Sequence, residues 1–307
     1  ARDGAVLHTP NAKEAKPGNT VFLTIDSRLQ KVANESLAKA IQSSGQPDCI
    51  AGGVVALSVK DFSVLAAATY PSYDLAKLTE PGYYSQLAND KANPLFNRAF
   101  QGAFAPGSIF KPLVACGALE EGVLTTEDKI KCVGIYHYPG HNFTTKCLGV
   151  HGNADLNYAM AKSCNVYFSE AGRRLGIENM NLYAKRFGLG VKTGIELTET
   201  TGILAGPEYS RSIGSRWSNL VTIKAAIGQS DNQFSPLQLA TYVATIANGG
   251  NRYRPHLIRK ITDYRRENIV MENNPDSPEL VETAGVSEEH LNMVKTAMRQ
   301  VVLSGTA

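Results

Sequence analysis

The chain has 307 residues, 43% of them hydrophobic, which is enough to bury a large core and is ordinary for a globular protein. Its 31 basic and 28 acidic residues leave a net charge of +3 and are scattered, so the charge indicates no nucleic-acid partner. No stretch approaches the roughly 18 apolar residues of a membrane-spanning helix. The start at Ala1, without Met or a secretory apolar region, indicates a trimmed chain.

The first predicted elements follow residues 1–18, whose composition is typical of a linker or of the end of a preceding module. Residues 20–25 are rich in β-formers and predict a strand. Asp26 or Ser27 can then cap a helix, because apolar residues recur at helical spacing after them: Leu29, Val32, Ala33, Leu37 and Ile41.

The remaining chain predicts a mixture of strands and helices. Residues 52–59 and 63–69 predict a β-hairpin, and residues 71–104 predict an irregular excursion before the next helix. Further helices are predicted at about 155–173, 177–188, 236–248 and 287–302. One large α/β domain over residues 19–307 is the simplest interpretation.

The motif Ser108-Ile109-Phe110-Lys111 places a hydroxyl one helical turn from an amine. A lysine can remove the proton of such a serine when burial or nearby cations lower its pKa. The structural alternative is a capped helix start, with Ser108 as the N-cap after a Pro-Gly turn. The motif alone does not decide between them.

A second pair of candidate catalytic residues lies in Ser163-Cys164-Asn165, within a predicted helix. Serine and asparagine compete with the backbone for hydrogen bonds inside helices, so we expect a break or short loop here. A broken helix can direct a hydroxyl and an amide into a cleft. A simple helix cap is the alternative.

Together the two motifs resemble the Ser-x-x-Lys and Ser-x-Asn elements of penicillin-binding proteins and serine β-lactamases. Flanking runs extend the likeness to the transpeptidase domain of class B penicillin-binding proteins, over roughly residues 19–307. These runs occur in that family's order, at residues 93–99, 105–108, 193–197, 227–230 and 235–240.

This resemblance implies an α+β fold, with an antiparallel sheet flanked by helices and an all-helical subdomain that carries Ser108. It also implies that Ser108 attacks the terminal D-alanyl-D-alanine bond of a peptidoglycan stem peptide while Lys111 takes its proton. Ser163 would relay a proton to the leaving or attacking nitrogen, and Asn165 would bind the substrate amide and steady Lys111. β-Lactams would acylate the same serine.

The third motif of this family, Lys-Thr-Gly, has one match, Lys192-Thr193-Gly194. It follows Ser163 too closely, and its flanks resemble a structural turn of the class B proteins, so we do not assign it as catalytic. The end of the chain resembles the helix and turn just before the true motif; alternatively, Gly305-Thr306-Ala307 is the tail of a Lys-Thr-Gly-Thr-Ala sequence whose first part is missing. We therefore expect the 307-residue chain to lack an oxyanion donor and to be a poor catalyst, since such a loss costs about two to three orders of magnitude in rate.

Three cysteines and a histidine supply the ligand types of a structural zinc site: Cys132, Cys147, His151 and Cys164. Their spacing is not that of a zinc finger. The resemblance implies a metal site that uses Cys164 as one ligand, which would hold Ser163 and Asn165 in place. A disulfide between Cys132 and Cys147 or free thiols are the alternatives, and His137 and His141 are reserve ligands.

The sequence leaves two competing functions open. One is a β-lactamase or D,D-carboxypeptidase, although no residue can be assigned as a deacylating base. The other is a non-catalytic β-lactam sensor or scaffold. For a transpeptidase, the resemblance implies a location on the extracytoplasmic face of the bacterial membrane, an anchor helix absent from this chain, and glycosyltransferase and cell-wall partners.

Overall fold

The computed structural model of the chain describes residues 15–306. Residues 1–14, most of the predicted linker 1–18, lie outside the described residues, as does Ala307. The helices of the described part are α1 (Ser27–Gln42), α2 (Tyr83–Asn89), α3 (Lys111–Glu120), α4 (Leu156–Ala161), α5 (Asn165–Arg186), α6 (Pro207–Ser212), α7 (Asn219–Ala225), α8 (Pro236–Ala247) and α9 (Glu288–Ser304). Within residues 15–306, no helix combines the length and apolarity needed to cross a membrane.

The strands of the described part form several small antiparallel sheets. Strand β1 (Thr20–Leu23) pairs with β9 (Ile258–Thr262), which also pairs with β10 (Ile269–Glu272). The other sheets are two-stranded: β2 (Gly52–Leu57) with β3 (Val64–Tyr70), β4 (Ile130–Cys132) with β7 (Gly152–Ala154), β5 (Ile135–His137) with β6 (Thr144–Lys146), and β8 (Asn251–Tyr253) with β11 (Leu280–Thr283). The predicted combination of helices and antiparallel sheet is confirmed.

Local sequence explains the boundaries of the long helices. The Asp26 side chain accepts from the N–H groups of Arg28 and Leu29 and so caps α1. Ser235 and Gln238 form a capping box at the start of α8, where Pro236 occupies the first helical position. The predictions for these helices, for the hairpin of β2 and β3, and for α9 are confirmed to within a few residues.

Three regions differ from the sequence-based predictions. The predicted helix at 155–173 is broken into α4 and α5, and the helix predicted at 177–188 is the second half of α5, after a kink at Gly176. The predicted excursion at 71–104 contains α2. The helical subdomain also carries the short strands β4 to β7, so it is not purely helical.

The core is centred on α3, in which every residue from Lys111 to Leu119 is buried. Side chains from α4, α5, α7, α8 and α9 surround it in one continuous apolar cluster. Lys111, at the first position of this helix, is therefore buried in the protein interior.

Candidate active site

Ser108 lies on a short 3₁₀ turn, Gly107–Phe110, that leads directly into α3. Its side chain is exposed, whereas that of Lys111 is only 1% exposed. Phe110 is buried and its ring stacks on Phe234, 6.1 Å away between centroids. The turn therefore presents a hydroxyl to solvent and turns the adjacent amine inward.

The Lys111 amine lies at the centre of the predicted catalytic residues. Its Nζ donates to the Oγ of Ser108 at 3.1 Å, the Oγ of Ser163 at 2.8 Å and the Oδ1 of Asn165 at 2.8 Å. It also reaches the carbonyl oxygen of Ser163 at 2.8 Å. The Oγ of Ser163 in turn donates to the Oγ of Ser108 at 2.8 Å. The structure thus brings all four predicted catalytic residues together.

Ser163 reaches this position because the chain changes direction between α4 and α5. Its φ of 50° lies in the left-handed region, which is uncommon for a residue other than glycine and is often associated with functional sites. Cys164 then caps α5, since its Sγ accepts from the N–H of Tyr167 at 3.5 Å. The predicted break between the helices is confirmed, and it directs Ser163 at Lys111.

Burial lowers the pKa of Lys111 to about 8, and negative charge on the thiols of Cys147 and Cys164 opposes this shift. The physical cause is the loss of hydration that would stabilise an ammonium ion. A lysine with this pKa is neutral in roughly a tenth of the molecules at pH 7, far more than an ordinary lysine, so it can accept the proton of a serine.

Asn165, the first residue of α5, is held on three sides. Its Nδ2 donates to the carbonyl oxygen of Lys146 at 3.1 Å, and its backbone N–H donates to the Sγ of Cys147 at 3.2 Å. Its Oδ1 accepts from Lys111. The amide plane is therefore fixed, with both ends hydrogen-bonded.

The four predicted metal ligands form one cluster, with all ligand atoms within 4.8 Å of one another. The Nδ1 of His151 lies 3.5 Å from the Sγ of Cys132 and 3.4 Å from the Sγ of Cys147. The Sγ atoms of Cys147 and Cys164 are 3.8 Å apart. His137 and His141, the reserve ligands, are not among the clustered residues.

These separations fit a tetrahedral zinc ion. Zinc–sulfur bonds of about 2.3 Å and zinc–nitrogen bonds of about 2.0 Å place two ligand sulfurs about 3.8 Å apart, and a sulfur about 3.5 Å from a nitrogen. All five cysteines are free thiols in the structure, including Cys132 and Cys147. The donor set and its spacing can therefore hold a metal ion.

The two thiols nearest the catalytic residues differ in acidity. Burial would raise the pKa of Cys147, but N–H groups of Val166, Gly149 and Asn165 outweigh burial and lower it. Burial raises the pKa of Cys164. Backbone donors that stabilise a thiolate on Cys147 prepare one ligand in the form that a metal requires.

The Lys192-Thr193-Gly194 sequence forms a separate turn around a carboxylate. The backbone and hydroxyl of Thr193 and the N–H of Gly194 donate to Glu199, at 2.8 to 2.9 Å. The Thr193 side chain is buried. These contacts agree with the structural role expected from the sequence.

Three features of the site were not predicted from the sequence. The carbonyl of Lys146, which accepts from Asn165, belongs to a three-residue strand with no recognisable periodicity. Tyr242, whose hydroxyl reaches the carbonyl of Ile109, is distant in the chain and no local pattern points to it. Gly228 was noted as part of a family-like run, but its contact with Gly107 was not predicted.

A Ser-x-x-Lys at the start of a buried helix, beside a Ser-x-Asn at the start of a second helix, defines the class of penicillin-recognising serine proteins. The family described as "Penicillin binding protein transpeptidase domain" matches residues 52–307. The chain belongs to this family, and its relatives place it with the class B penicillin-binding proteins.

Individual proteins show how far the likeness extends. The chain is 33% identical over 309 residues to the peptidoglycan D,D-transpeptidase MrdA of Acinetobacter baumannii, covering 98% of this chain and 44% of that protein. The chain therefore spans less than half the length of this relative.

Two solved structures are similar over nearly the whole chain. Penicillin-binding protein A from M. tuberculosis, seen as a penicillin G acyl-enzyme complex, gives a TM-score of 0.80 at 26% identity, with 93% of this chain and 64% of that chain covered. A chain from a peptidoglycan synthase complex that coordinates polymerization and crosslinking gives a TM-score of 0.81 at 30% identity, with 96% and 51% covered.

Proposed function

We propose that this chain is the catalytic domain of a peptidoglycan D,D-transpeptidase that works through an acyl-enzyme on Ser108. The observation that carries the proposal is the hydrogen-bonded triangle of Ser108, Lys111 and Ser163, with an exposed nucleophile and a buried amine. The family membership and the named transpeptidase relative support it.

The first half of the reaction forms the ester. Neutral Lys111 accepts the Ser108 proton as the Oγ attacks the carbonyl carbon between the two terminal D-alanines. Ser163 donates its proton to the departing nitrogen and recovers one from the Lys111 ammonium. D-Alanine leaves as a free amine, and the rest of the stem peptide stays on Ser108 as an ester.

The second half transfers the acyl group to another stem peptide. The acceptor amine attacks the ester carbonyl, its proton passes through Ser163 and Lys111, and the Oγ of Ser108 leaves and is reprotonated. The Nδ2 of Asn165 exchanges its hydrogen bond to the Lys146 carbonyl for a hydrogen bond to the carbonyl of the substrate amide. A β-lactam undergoes the first half of the reaction, because the same serine opens its amide.

The proposed structural metal is zinc, held by Cys132, Cys147, His151 and Cys164. Bound there, zinc would supply a fixed tetrahedral anchor and no chemistry in the acyl transfer. The Cys147 thiol accepts from the N–H of Asn165, and Cys164 lies between Ser163 and Asn165 in the chain, so the anchor would hold these residues against Lys111.

The proposed setting is the extracytoplasmic face of the bacterial membrane, beside a glycosyltransferase that supplies the glycan strands. The likeness to a chain of a peptidoglycan synthase complex supports such a partner. The named activity of the MrdA relative supports the peptidoglycan substrate. Anchoring by a helix outside this chain belongs to the same proposal.

Fluorescent penicillin tests the proposal on the full-length gene product, with Ser108→Ala as the control. A stable label that the control loses supports an acyl-enzyme on Ser108. Rapid release of hydrolysed penicillin would instead indicate a β-lactamase, and absence of label on the full-length product would indicate a scaffold.

A second assay separates transpeptidation from carboxypeptidation. A donor pentapeptide strand is supplied with an excess of acceptor amine, and products are resolved by mass spectrometry. We expect the cross-linked product and free D-alanine. Trimmed tetrapeptide without cross-link would identify a D,D-carboxypeptidase.

A further inference from the structure

The turn that carries Ser108 is contacted from inside the protein by a tyrosine remote in sequence. The hydroxyl of Tyr242, on α8, donates to the carbonyl oxygen of Ile109 at 3.2 Å. This hydrogen bond therefore links the turn that holds Ser108 to helix α8.

The position of this hydroxyl is fixed by the packing of its ring. Tyr242 is 0% exposed, and its ring meets that of Phe187 edge to face at 5.6 Å. A buried phenol with a packed ring has little freedom and no water to bond instead. The Ile109 carbonyl is therefore held at a defined distance from α8.

A second contact holds the other end of the same turn. The N–H of Gly107 donates to the carbonyl oxygen of Gly228 at 2.9 Å. Gly228 has a φ of 73°, and a Cβ at this position would overlap the carbonyl oxygen of Gly107. The two backbones can approach this closely only because residue 228 has no side chain.

We infer that Tyr242 and Gly228 are positioning residues for Ser108, acting through the backbone of the turn and not through contact with substrate. The turn needs such support because it is short and no side chain caps it. Misplacement of a reacting group by about 1 Å can cost on the order of 100-fold in rate. The inference rests on the proposed function, since it concerns the same nucleophile.

Tyr242→Phe removes one oxygen and keeps the ring, so it is the principal test. With the full-length gene product and fluorescent penicillin, we expect the acylation rate constant to fall about tenfold, because the turn loses one anchor. The dissociation constant of the reversible penicillin complex should stay within about twofold. An unchanged acylation rate would overturn the inference.

Tyr183→Phe is the matched control. Tyr183 is also buried, and its hydroxyl makes one side-chain hydrogen bond, to Glu121 at 2.7 Å, at the far end of α3 from Lys111. Loss of its hydroxyl should lower the melting temperature at least as much as Tyr242→Phe while leaving acylation within twofold. Equal losses of acylation in both variants would indicate a general structural effect and overturn the inference.

Gly228→Ala tests the second anchor, with Gly214→Ala as its control. Gly214 has nearly the same φ, 70°, but open space where a Cβ would lie. Both variants incur the same backbone strain, and only the first displaces Gly107. We expect a loss of acylation of more than tenfold for Gly228→Ala alone. Equal acylation in the two variants would contradict the inference.

A thiol reporter makes the inference independent of penicillin acylation. In Ser108→Cys, the introduced thiol adjoins the Lys111 amine and should react with iodoacetamide at lower pH than exposed Cys49. Adding Tyr242→Phe should move the midpoint of this reaction toward that of Cys49, read for each peptide by mass spectrometry. An unmoved midpoint would overturn the positioning role. Failure of wild-type penicillin labelling would count against the proposed function alone.

Discussion

The backbone N–H of Asn165 donates to the Sγ of Cys147, 3.2 Å away, and so connects the proposed catalytic residues to the proposed zinc ligands. Cys164 makes the same connection within the chain, because it lies between Ser163 and Asn165 and caps α5. A change at the thiol cluster should therefore shift the backbone of Ser163 and Asn165, which lies beside Lys111.

Metal analysis tests the cluster directly. We expect one zinc per chain, and we expect Cys147→Ser to lower zinc affinity by more than tenfold, reduce the melting temperature and slow penicillin acylation. Cys49→Ser, at an exposed cysteine outside the cluster, should retain metal and activity. A deficit of two thiols under denaturing conditions, with no bound metal, would favour a Cys132–Cys147 disulfide instead.

Substitution of the proposed base should separate chemistry from folding. Lys111→Met fills a similar volume without an amine, and we expect the acylation rate constant to fall about 100-fold to 10,000-fold, as for loss of a general base. Lys162→Met is the control, since the Lys162 amine donates to the carbonyl of Ser304 and not to the catalytic residues. Full acylation by Lys111→Met, measured with fluorescent penicillin, would exclude the proposed role.

The acylation rate should depend on pH with a midpoint near 8. Burial lowers the pKa of Lys111 to about 8, and the base must be neutral to accept the Ser108 proton. The rate should therefore rise about tenfold per pH unit below the midpoint and level off above it. Stopped-flow measurements between pH 6 and 9.5 would show this, and a rate that falls as pH rises would be incompatible with a neutral lysine.

Close packing of α5 on the end of α7 gives a prediction about stability. A Cβ at Gly172 would overlap that of Ala226, so Gly172→Ala should lower the free energy of unfolding by about 1–3 kcal/mol. Gly18→Ala, at a glycine that is outside the left-handed region and where a Cβ would meet no neighbour within 4 Å, is a control for replacing a glycine without a clash. Urea denaturation followed by circular dichroism measures both, and equal stabilities would show that α5 and α7 can move apart.

The placement of Ser108, Lys111, Ser163 and Asn165 could be anticipated because each pair is local in sequence and the order of motifs resembles a known family. The break at Ser163 followed from residues that compete with helical hydrogen bonds. Strands β4 to β7 could not be anticipated, because three residues show no periodicity. The contact of Tyr242 with Ile109 joins residues 133 positions apart, and it depends on tertiary packing alone.

The surroundings of Lys111 have a further consequence when hydrogens are counted. Four oxygen atoms lie within 3.1 Å of its Nζ, while an ammonium can donate three hydrogens and a neutral amine two. One of the four oxygens therefore receives no hydrogen from Lys111 when the lysine is charged, and two receive none when it is neutral. The neutral amine also exposes a lone pair, and Ser108 and Ser163 are the two neighbours with a hydrogen to give it. A serine hydroxyl that donates to this lone pair is therefore already placed to pass its proton to Lys111.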